Sequence, residues 1–538
     1  MPLPDSSVEW PPKPLQPVFG QMGVWSAWYS GNPDELSAIY AGTGNQPPNR
    51  PSQYRGGIVG ALSRMFWGRP VPANEPKTKL HVPLAADIAA KSADLLFTEP
   101  PALDFGTNLA AAERLEAAID EGLYATLLEG AEVGAGLGGH YLRVVWDPEI
   151  AALPWIVAVH HDAAVPEWRW GRLWAVTFWE VVAASDDTVI RHLERHERGS
   201  ITHGLYEGNQ SALGKRIDLA EHEATRDIDG DALDDLTLHI ATGVPDRLTA
   251  AYVPNMVPNR LWRGIPEAAP MGRSDFAGLE GELDALDETW TSWMRDIRLG
   301  KGRMFVPGYM LDDLGAGKGA SWNPETEIFT ALNMPPSKDS QQLTAQQFEI
   351  RVDEHQRTAA ALTEQIIRSA RYSPMSFGIG VDGQAVTATE IRSAERQSFI
   401  TQGRKARYTK APLAYIIETL LAVDAALFEQ KVEPAAPQIV FADSIAENPE
   451  VTARTIQLLD AARAVSTEVK VQMAHPDWGK EEVDAEVKKV IAEQGIGAKE
   501  DPTVFGGSRF GPANEGAKDD EPDDEDAKPP AEPEPAKA

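Results

Sequence analysis

Ser373-Pro-Met-Ser-Phe-Gly-Ile-Gly-Val-Asp-Gly383 is a glycine-bearing loop set between two long helical patterns. Upstream, Phe348, Val352, His355, Ala359, Leu362 and Ile366 fall at heptad-like positions, so a helix is expected over 341–371. Downstream, Thr387 and Glu390 spell a capping box. A helix expected from there to Leu427 carries the basic patch Arg404, Lys405, Arg407 and Lys410, with a bend at Pro412. Between Tyr372 and Val386 the only charge is Asp382. Gly378, Gly380 and Gly383 let the backbone move. Two long helices around such a loop are more than a compact enzyme core needs. The pattern is that of a loop held out into a space, with a simple helix connection as the plain alternative.

A second seam lies upstream. Phe276, Leu279, Leu283, Leu286, Trp290, Trp293 and Ile297 follow spacings of 3, 4, 3, 4, 3 and 4. This is a strict a/d heptad on a helix roughly 35 Å long at 1.5 Å per residue. Gly300 ends it, and Arg295, Arg298 and Lys301 suit the negative end of its dipole. Trp290 and Trp293 want partners, and pairing within the chain or between copies both satisfy them. Residues 302–337 are punctuated by Gly and Pro around the strand-like run Arg303-Met-Phe-Val-Pro307.

The remaining chain reads as α+β. Residues 84–97 have helical spacing and stop before Pro100-Pro101, and 108–132 read as another helix. From His140 to about Tyr206 the pattern alternates, in runs at 141–146, 155–159, 173–179 and 189–193, which predicts an antiparallel meander. Short strands and loops follow over 207–265. Residues 1–55, rich in Pro, Gly and Trp, are expected to form an extended arm. Helical patterns occupy 448–495, and the Pro, acid and Ala bias beyond Asp501 is that of a disordered tail.

A length of 538 residues allows about three or four domains. No run of about 18 apolar residues occurs, so no membrane span is expected. The N-terminus lacks the basic and apolar regions of a secretory signal. The absence of cysteine excludes disulfides and thiolate metal sites and fits a reducing compartment. The net charge of −31 argues against wrapping nucleic acid, which needs Lys and Arg at phosphates. Ten acids and three lysines from Glu515 to Ala538 give the tail −7, suited to solubility or to a partner; the body holds about three quarters of the excess.

Several apparent chemical motifs fail on context. Gly134-x-Gly136-x-x-Gly139 spells a dinucleotide fingerprint, but a helix precedes it and a strand follows, the reverse of what places phosphate on a helix N-terminus. Gly315-Ala-Gly317-Lys318-Gly319 has Asp312 and Gly319 where a phosphate loop needs Gly and Ser or Thr. His160-His161-Asp162 would point to opposite faces of a strand, and Ser200-x-x-His203 lacks an elbow and an acid. Trp155, Trp168, Trp170, Trp174 and Trp179 suit core or subunit packing better than base stacking. The patch 404–410 fits either phosphate contact or salt bridges, within or between copies. No catalytic residue, metal or cofactor emerges, and the chain is not expected to be an enzyme.

Four stretches taken in order resemble portal proteins of long-tailed bacteriophages, particularly those infecting actinobacteria. They are Leu84-Ala-Ala-Asp-Ile-Ala-Ala-Lys-Ser-Ala-Asp-Leu-Leu-Phe-Thr-Glu-Pro-Pro101; Gly138-Gly-His-Tyr-Leu-Arg-Val-Val-Trp-Asp147; Gly272-Arg-Ser-Asp-Phe-Ala-Gly-Leu279 with Trp293-Met-Arg-Asp-Ile-Arg-Leu-Gly-Lys301; and Ser373-Pro-Met-Ser-Phe-Gly378 with Val386-Thr-Ala-Thr-Glu-Ile-Arg392. The match spans about 80–430. The resemblance implies an α+β portal fold and a ring, usually a dodecamer, at one capsid vertex. Double-stranded DNA would pass through its axis without sequence specificity.

The resemblance further implies a wing over 56–270, stem helices over 271–299 and 341–371, and a clip over 300–340. A tunnel loop over 372–386 would face DNA with Met375, Phe377, Gly378, Ile379, Gly380, Asp382 and Gly383. A long wing helix over 387–432, a crown over 433–500 and the tail over 501–538 would follow. Phe276, Leu283, Leu286, Trp290, Trp293 and Ile297 would pack the stem. The clip, with Lys301, Arg303, Asp312 and Asp313, would dock the terminase large subunit and then the head-tail adaptor. The body would contact the major capsid protein and scaffold. The implied place is the virion, with the host cytoplasm during assembly. Another capsid or head-tail connector protein is the alternative.

Overall fold

Val18, Met22, Trp25 and Trp28 recur at helical spacing and all are buried. They fold the start of the chain as α1, Gln16–Ser30, followed by α2, Pro33–Gly42. Over 16–42 this corrects the extended arm expected for 1–55; residues 43–55 lie outside the described residues. Gly20 and Gly23 each cost a helix about 1 kcal/mol, but a stripe of two tryptophans, Met and Val outweighs them. Pro17 sits in the first turn, where its missing N–H is harmless. Gly31, at φ 66°, ends α1 in the left-handed conformation that glycine adopts without strain.

The computed structural model describes residues 3–4, 8–42, 79–185, 187–228, 230–234, 236–299, 350–379, 388–428, 430–441, 449–475 and 478–493, with the backbone of short strands between 303 and 346. Helix α3, Leu84–Phe97, leads through β1, Ala102–Asp104, to α4, Leu109–Asp120, and α5, Leu123–Leu137. The single helix expected over 108–132 is thus two, because Gly122 at φ 104° breaks the run between them.

The alternating region forms two antiparallel sheets. The strands are β2 (Gly139–Val145), β3 (Trp155–His160), β4 (Ala164–Arg169), β5 (Arg172–Ala184), β6 (Val189–Glu197), β7 (Ser200–Asn209), β8 (Ala212–Ile217), β9 (Asp231–Asp234), β10 (Thr237–Ala241) and β11 (Ala250–Pro254). The larger sheet runs β4-β5-β6-β7-β10-β9, with β8 also on β7, so β4 to β7 form a meander. Of the single meander expected from 141 to 193, only the runs 173–179 and 189–193 belong to it, while 141–146 and 155–159 are β2 and β3 of the smaller sheet. The smaller runs β11-β2-β3 and leaves β3 at an edge. Tyr141 of β2 faces Val159 of β3 and Tyr252 of β11.

After these sheets come α6 (Glu280–Leu299), the short strands β12 (Arg303–Phe305), β13 (Asp312–Asp313), β14 (Ala320–Ser321) and β15 (Thr344–Gln346), then α7 (Val352–Ser369) and α8 (Ala388–Leu427). Strand β15 pairs with β12. Residues 344–346 are therefore extended and α7 starts at Val352, a correction to the helix expected from 341. Helix α8 has 40 residues and contains Pro412. Strand β16, Gln438–Val440, returns to pair with β1.

Among the described residues, residues 1–445 hold two large cores, with three smaller clusters packing the strands of the large sheet. One gathers α1, the near side of α3, residues 262–286, and Ile366, Ile367 and Tyr372 at the end of α7. The other packs Leu96 and Phe97 of α3 and Leu115 of α4 against Leu413, Ile416, Ile417 and Leu420 of α8. Residues 446–538 form a separate unit with helices α9 (Pro449–Ala461), α10 (Thr467–Ala474) and α11 (Lys480–Glu493). Among the described residues, no helix is long and apolar enough to cross a membrane.

Candidate functional site: a helix pair and the root of its loop

The heptad seam enters α6 from the preceding turn. Phe276, Leu279, Leu283 and Leu286 are buried. Trp290 packs half-buried on the first core, and Ile297 is 39% exposed, so the seam fades toward the end of the helix. Its partner is α7 of the same chain. Asp296 Oδ2 accepts from Arg351 Nη2 at 2.9 Å and pairs with His355 Nε2 at 3.0 Å. The His355 hydrogen bond, then Arg351, hold the Asp296 carboxyl below the usual carboxylate range. Trp293 stacks on His355, 6.2 Å between centroids at 7°, and lies 5.1 Å from Trp290. Helix α7 thus supplies one of the two kinds of partner the sequence left open, the one within the chain.

The acidic side of α6 is occupied as well. Lys79 bridges Asp284 at 2.7 Å and Glu288 at 3.2 Å. Asp287, buried, accepts from the Tyr40 hydroxyl at 2.6 Å and the Val82 amide at 2.8 Å. Trp25 Nε1 donates to Glu280 at 2.8 Å. Trp25, Tyr40, Lys79 and Val82 thus cover and hydrogen-bond a helix face whose composition resembles a solvated one.

The loop leaves α7 through Arg371, at φ 71°, a strained conformation for a long side chain. Thr401 of α8 donates to the Arg371 carbonyl at 2.7 Å, and Ser398 accepts from the Ser373 amide at 2.9 Å. Tyr372 turns inward, and its hydroxyl donates to Asp275 Oδ2 at 2.8 Å. Lys405 Nζ meets the same oxygen at 2.5 Å and Ser92 Oγ at 2.5 Å. Asn255 Nδ2 donates to Asp275 Oδ1 at 2.8 Å. Burial pushes the Lys405 ammonium down, against the pull of Asp275, and pushes the Tyr372 hydroxyl well up. This buried knot fastens α3, α8, the 272–279 turn and the loop root together.

Pro374–Phe377 then form one 3-10 turn capped by Ser373, and Gly378, at φ 74°, closes it. Phe377 packs edge-on against Tyr372 at 6.3 Å, and Phe377 and Ile379 both rest on the first core. The first half of the loop is therefore folded down, with Met375 half-buried beside it. Gly380, Asp382, Gly383 and the Thr387 end of the capping box lie outside the described residues, as does Lys301. Arg303 lies on β12 and Asp312 and Asp313 on β13, which pairs with β14.

The basic patch is divided: Lys405 is buried in its ion pair, while Arg407 and Lys410 are exposed. The knot itself, Asp275, Tyr372, Lys405, Ser92 and Asn255, was not foreseen. A signal existed in the register of α8, where Ser398, Thr401, Lys405 and Thr409 precede Leu413, Ile416 and Leu420 on one buried line. A lysine in that line requires a buried acid.

The glycine fingerprint is a helix-to-strand turn. Gly134 and Gly136 lie in α5, and a Cβ at Gly134 would meet His140 Nδ1 at 2.6 Å. His161 is buried in a 3-10 turn and bonds the Leu137 carbonyl at 3.0 Å. His203 bonds His192 at 3.1 Å. Among the described residues, no group of three or more His, Asp or Glu is arranged to hold a metal ion. The tryptophans are dispersed: Trp168 packs on Tyr252, Trp179 on Trp10, Trp174 under Arg169, and Trp170 is exposed.

No protein-family model matches the chain, and no curated protein does. Among solved structures it is similar to a chain of the virion of a native gene transfer agent particle, at 14% identity and TM-score 0.37, over 81% of this chain and 98% of that one. It is also similar to a chain of the neck of the native particle, computed with C12 symmetry, at 14% identity and TM-score 0.37 over 84% and 97%. A chain of the neck of the empty particle, computed with C6 symmetry, gives 14% and 0.35 over 81% and 97%. Likeness this distant carries no inference about fold or function.

Proposed function

We propose that the chain is a portal-type subunit that assembles into a ring at one capsid vertex and conducts double-stranded DNA through its axis in packaging and ejection. The connectivity carries this reading. Helix α6 leads into an insertion whose ends are drawn together by β12 and β15, α7 returns along α6, and a fastened turn leads into the 40-residue α8. This is the order that the four resembling stretches imply.

At about 1.5 Å per residue, the 18 residues of α7 separate the insertion from the loop root by roughly 27 Å. A paired stem of that length can keep a docking clip apart from a constriction. In this reading the insertion, with Lys301, Arg303, Asp312 and Asp313, receives the terminase motor and then the head-tail adaptor. The body meets the capsid protein and scaffold, and the loop beyond Ile379 faces DNA. The channel performs no chemical step. A net charge of −31 per copy suits a conduit, because each tight phosphate contact adds affinity that translocation must break.

Native mass measurement with end-on negative-stain images tests this. The expected result is a closed ring with a central channel. A strict monomer across salt concentrations would overturn it, and a ring without a channel would favour another capsid or connector protein.

A further inference from the structure

The hairpin joining β4 to β5 ends in Arg169-Trp170-Gly171-Arg172. Trp170 is 97% exposed, the most exposed large apolar side chain described. Its φ is 53° and that of Gly171 is 73°. A two-residue turn of this kind favours Asn-Gly, and a bulky residue at its first position is strained. Nothing in the chain repays that strain, since the indole packs on almost nothing. Arg169 stacks on Trp174 at 3.6 Å, and Arg198 lies over the same ring at 5.5 Å. Arg169, Arg172 and Arg198 have no carboxylate partner among the described residues. In a chain of net −31 this tip is an apolar knob ringed by cations.

The same chain carries a complementary hollow. A cavity of about 280 Å³ opens where α4, α5 and the edge strand β3 meet. Leu123, Trp155 and Val157 line it, with Glu121 and Glu129. Both glutamates are exposed and neither has an ion-pair partner among the described residues. The cavity admits an indole and offers two carboxylates to the guanidinium groups beside it. Trp170 does not occupy it within its own chain, because its side chain is in solvent.

We infer that Trp170 of one copy inserts into this cavity of the next, with Arg169 and Arg172 meeting Glu121 and Glu129. The inference rests on the ring reading and names one of its contacts. Knob and hollow are different surfaces, so the contact is head-to-tail, the type that closes into a ring when the rotation between copies closes. An aromatic anchor with flanking Arg in a fitted pocket is also the composition of an interface hot spot.

The test uses the full chain. Trp170→Asn removes the indole and suits the positive φ, so the fold is retained or slightly stabilised. Glu121→Lys/Glu129→Lys reverses the charge of the cavity and leaves the hairpin intact. Each variant is expected to dissociate at a concentration at least tenfold above wild type, by native mass measurement and sedimentation. Mixing the two should give one-to-one heterodimers and no closed ring, because hairpins of the second fit cavities of the first while the reverse junction lacks both knob and acidic cavity. Wild-type assembly by Trp170→Asn, or no heterodimer on mixing, overturns the contact while a wild-type ring still stands. A wild-type chain that is monomeric throughout overturns both.

Discussion

Lys405 is buried beside one carboxylate, and that pairing makes the loop root sensitive to single substitutions. With Lys405→Met, Asp275 keeps a buried charge that the Tyr372 hydroxyl, the Asn255 amide and the more distant Arg273 guanidinium answer without a direct ion pair. A loss of about 3–5 kcal/mol is expected in urea unfolding. The double variant Lys405→Met/Asp275→Asn should regain much of it, because no lone charge remains. Equal losses for single and double variants would show that the pair does not act as a unit. A second expectation concerns pH. Burial pushes His161 and His203 down to about 4 and His140 down to about 3. The unfolded chain takes up protons as pH falls through about 6.5, while these folded imidazoles stay neutral until about 4. Acid therefore favours unfolding in that window, by about 1.4 kcal/mol per pH unit for each histidine. Stability should already fall between pH 7 and 5.5, before most carboxylates titrate, and a flat profile there would contradict the burial of these rings.

At the scale of the element, the helix pair separates what periodicity encodes from what it leaves out. The spacing from Phe276 to Ile297 is readable because one buried stripe repeats every three or four residues. The partner is not readable, since any apolar stripe satisfies a heptad; Asp296, His355 and Trp293 join α6 to α7 through contacts more than fifty residues apart. The N-terminal end of α7 was misplaced because β15 is extended by its pairing with β12, a tertiary contact that local propensity does not see. Helix α1 was missed for the opposite reason, its Gly and Pro content hiding a stripe of Val18, Met22, Trp25 and Trp28. These differences set the expected energies. Trp290 and Trp293 are half-buried, so replacing either by Ala should cost about 1 kcal/mol, roughly half of what full burial contributes. A Cβ at Gly20 or Gly23 meets nothing within 4 Å, so Gly20→Ala and Gly23→Ala should each stabilise by about 0.5–1 kcal/mol. A lower melting temperature for either alanine would mean that α1 is not helical in solution.

At the scale of the whole molecule, the α+β class and the antiparallel pairs β2-β3 and β5-β6 were legible because alternation and helical spacing occupy separate stretches of chain. The division into a seven-stranded and a three-stranded sheet was not, since β11 joins β2 across more than a hundred residues. Charge was legible in total and not in placement: the patch 404–410 fitted phosphate contact or salt bridges, and Lys405 is buried in an ion pair while Arg407 and Lys410 face solvent. That division bears on how the molecule meets DNA. Counterion release makes affinity for duplex rise with the number of phosphates neutralised, and each contact steepens the fall of log K with log salt by about 0.9. With one of the four basic side chains withdrawn and −31 on each copy, long-range repulsion opposes whatever the exposed Arg407 and Lys410 gain. The assembled protein should therefore bind free linear duplex more weakly than the roughly 10⁻⁴–10⁻⁶ M usual for non-specific binding, with a shallow salt slope. Fluorescence anisotropy with a labelled duplex between low and physiological salt measures both quantities. Micromolar affinity with a steep slope, lost in Arg407→Ala/Lys410→Ala, would mean that this face grips phosphate. The chain would then be a DNA clamp, because a surface held by many phosphates resists the sliding that a conduit requires.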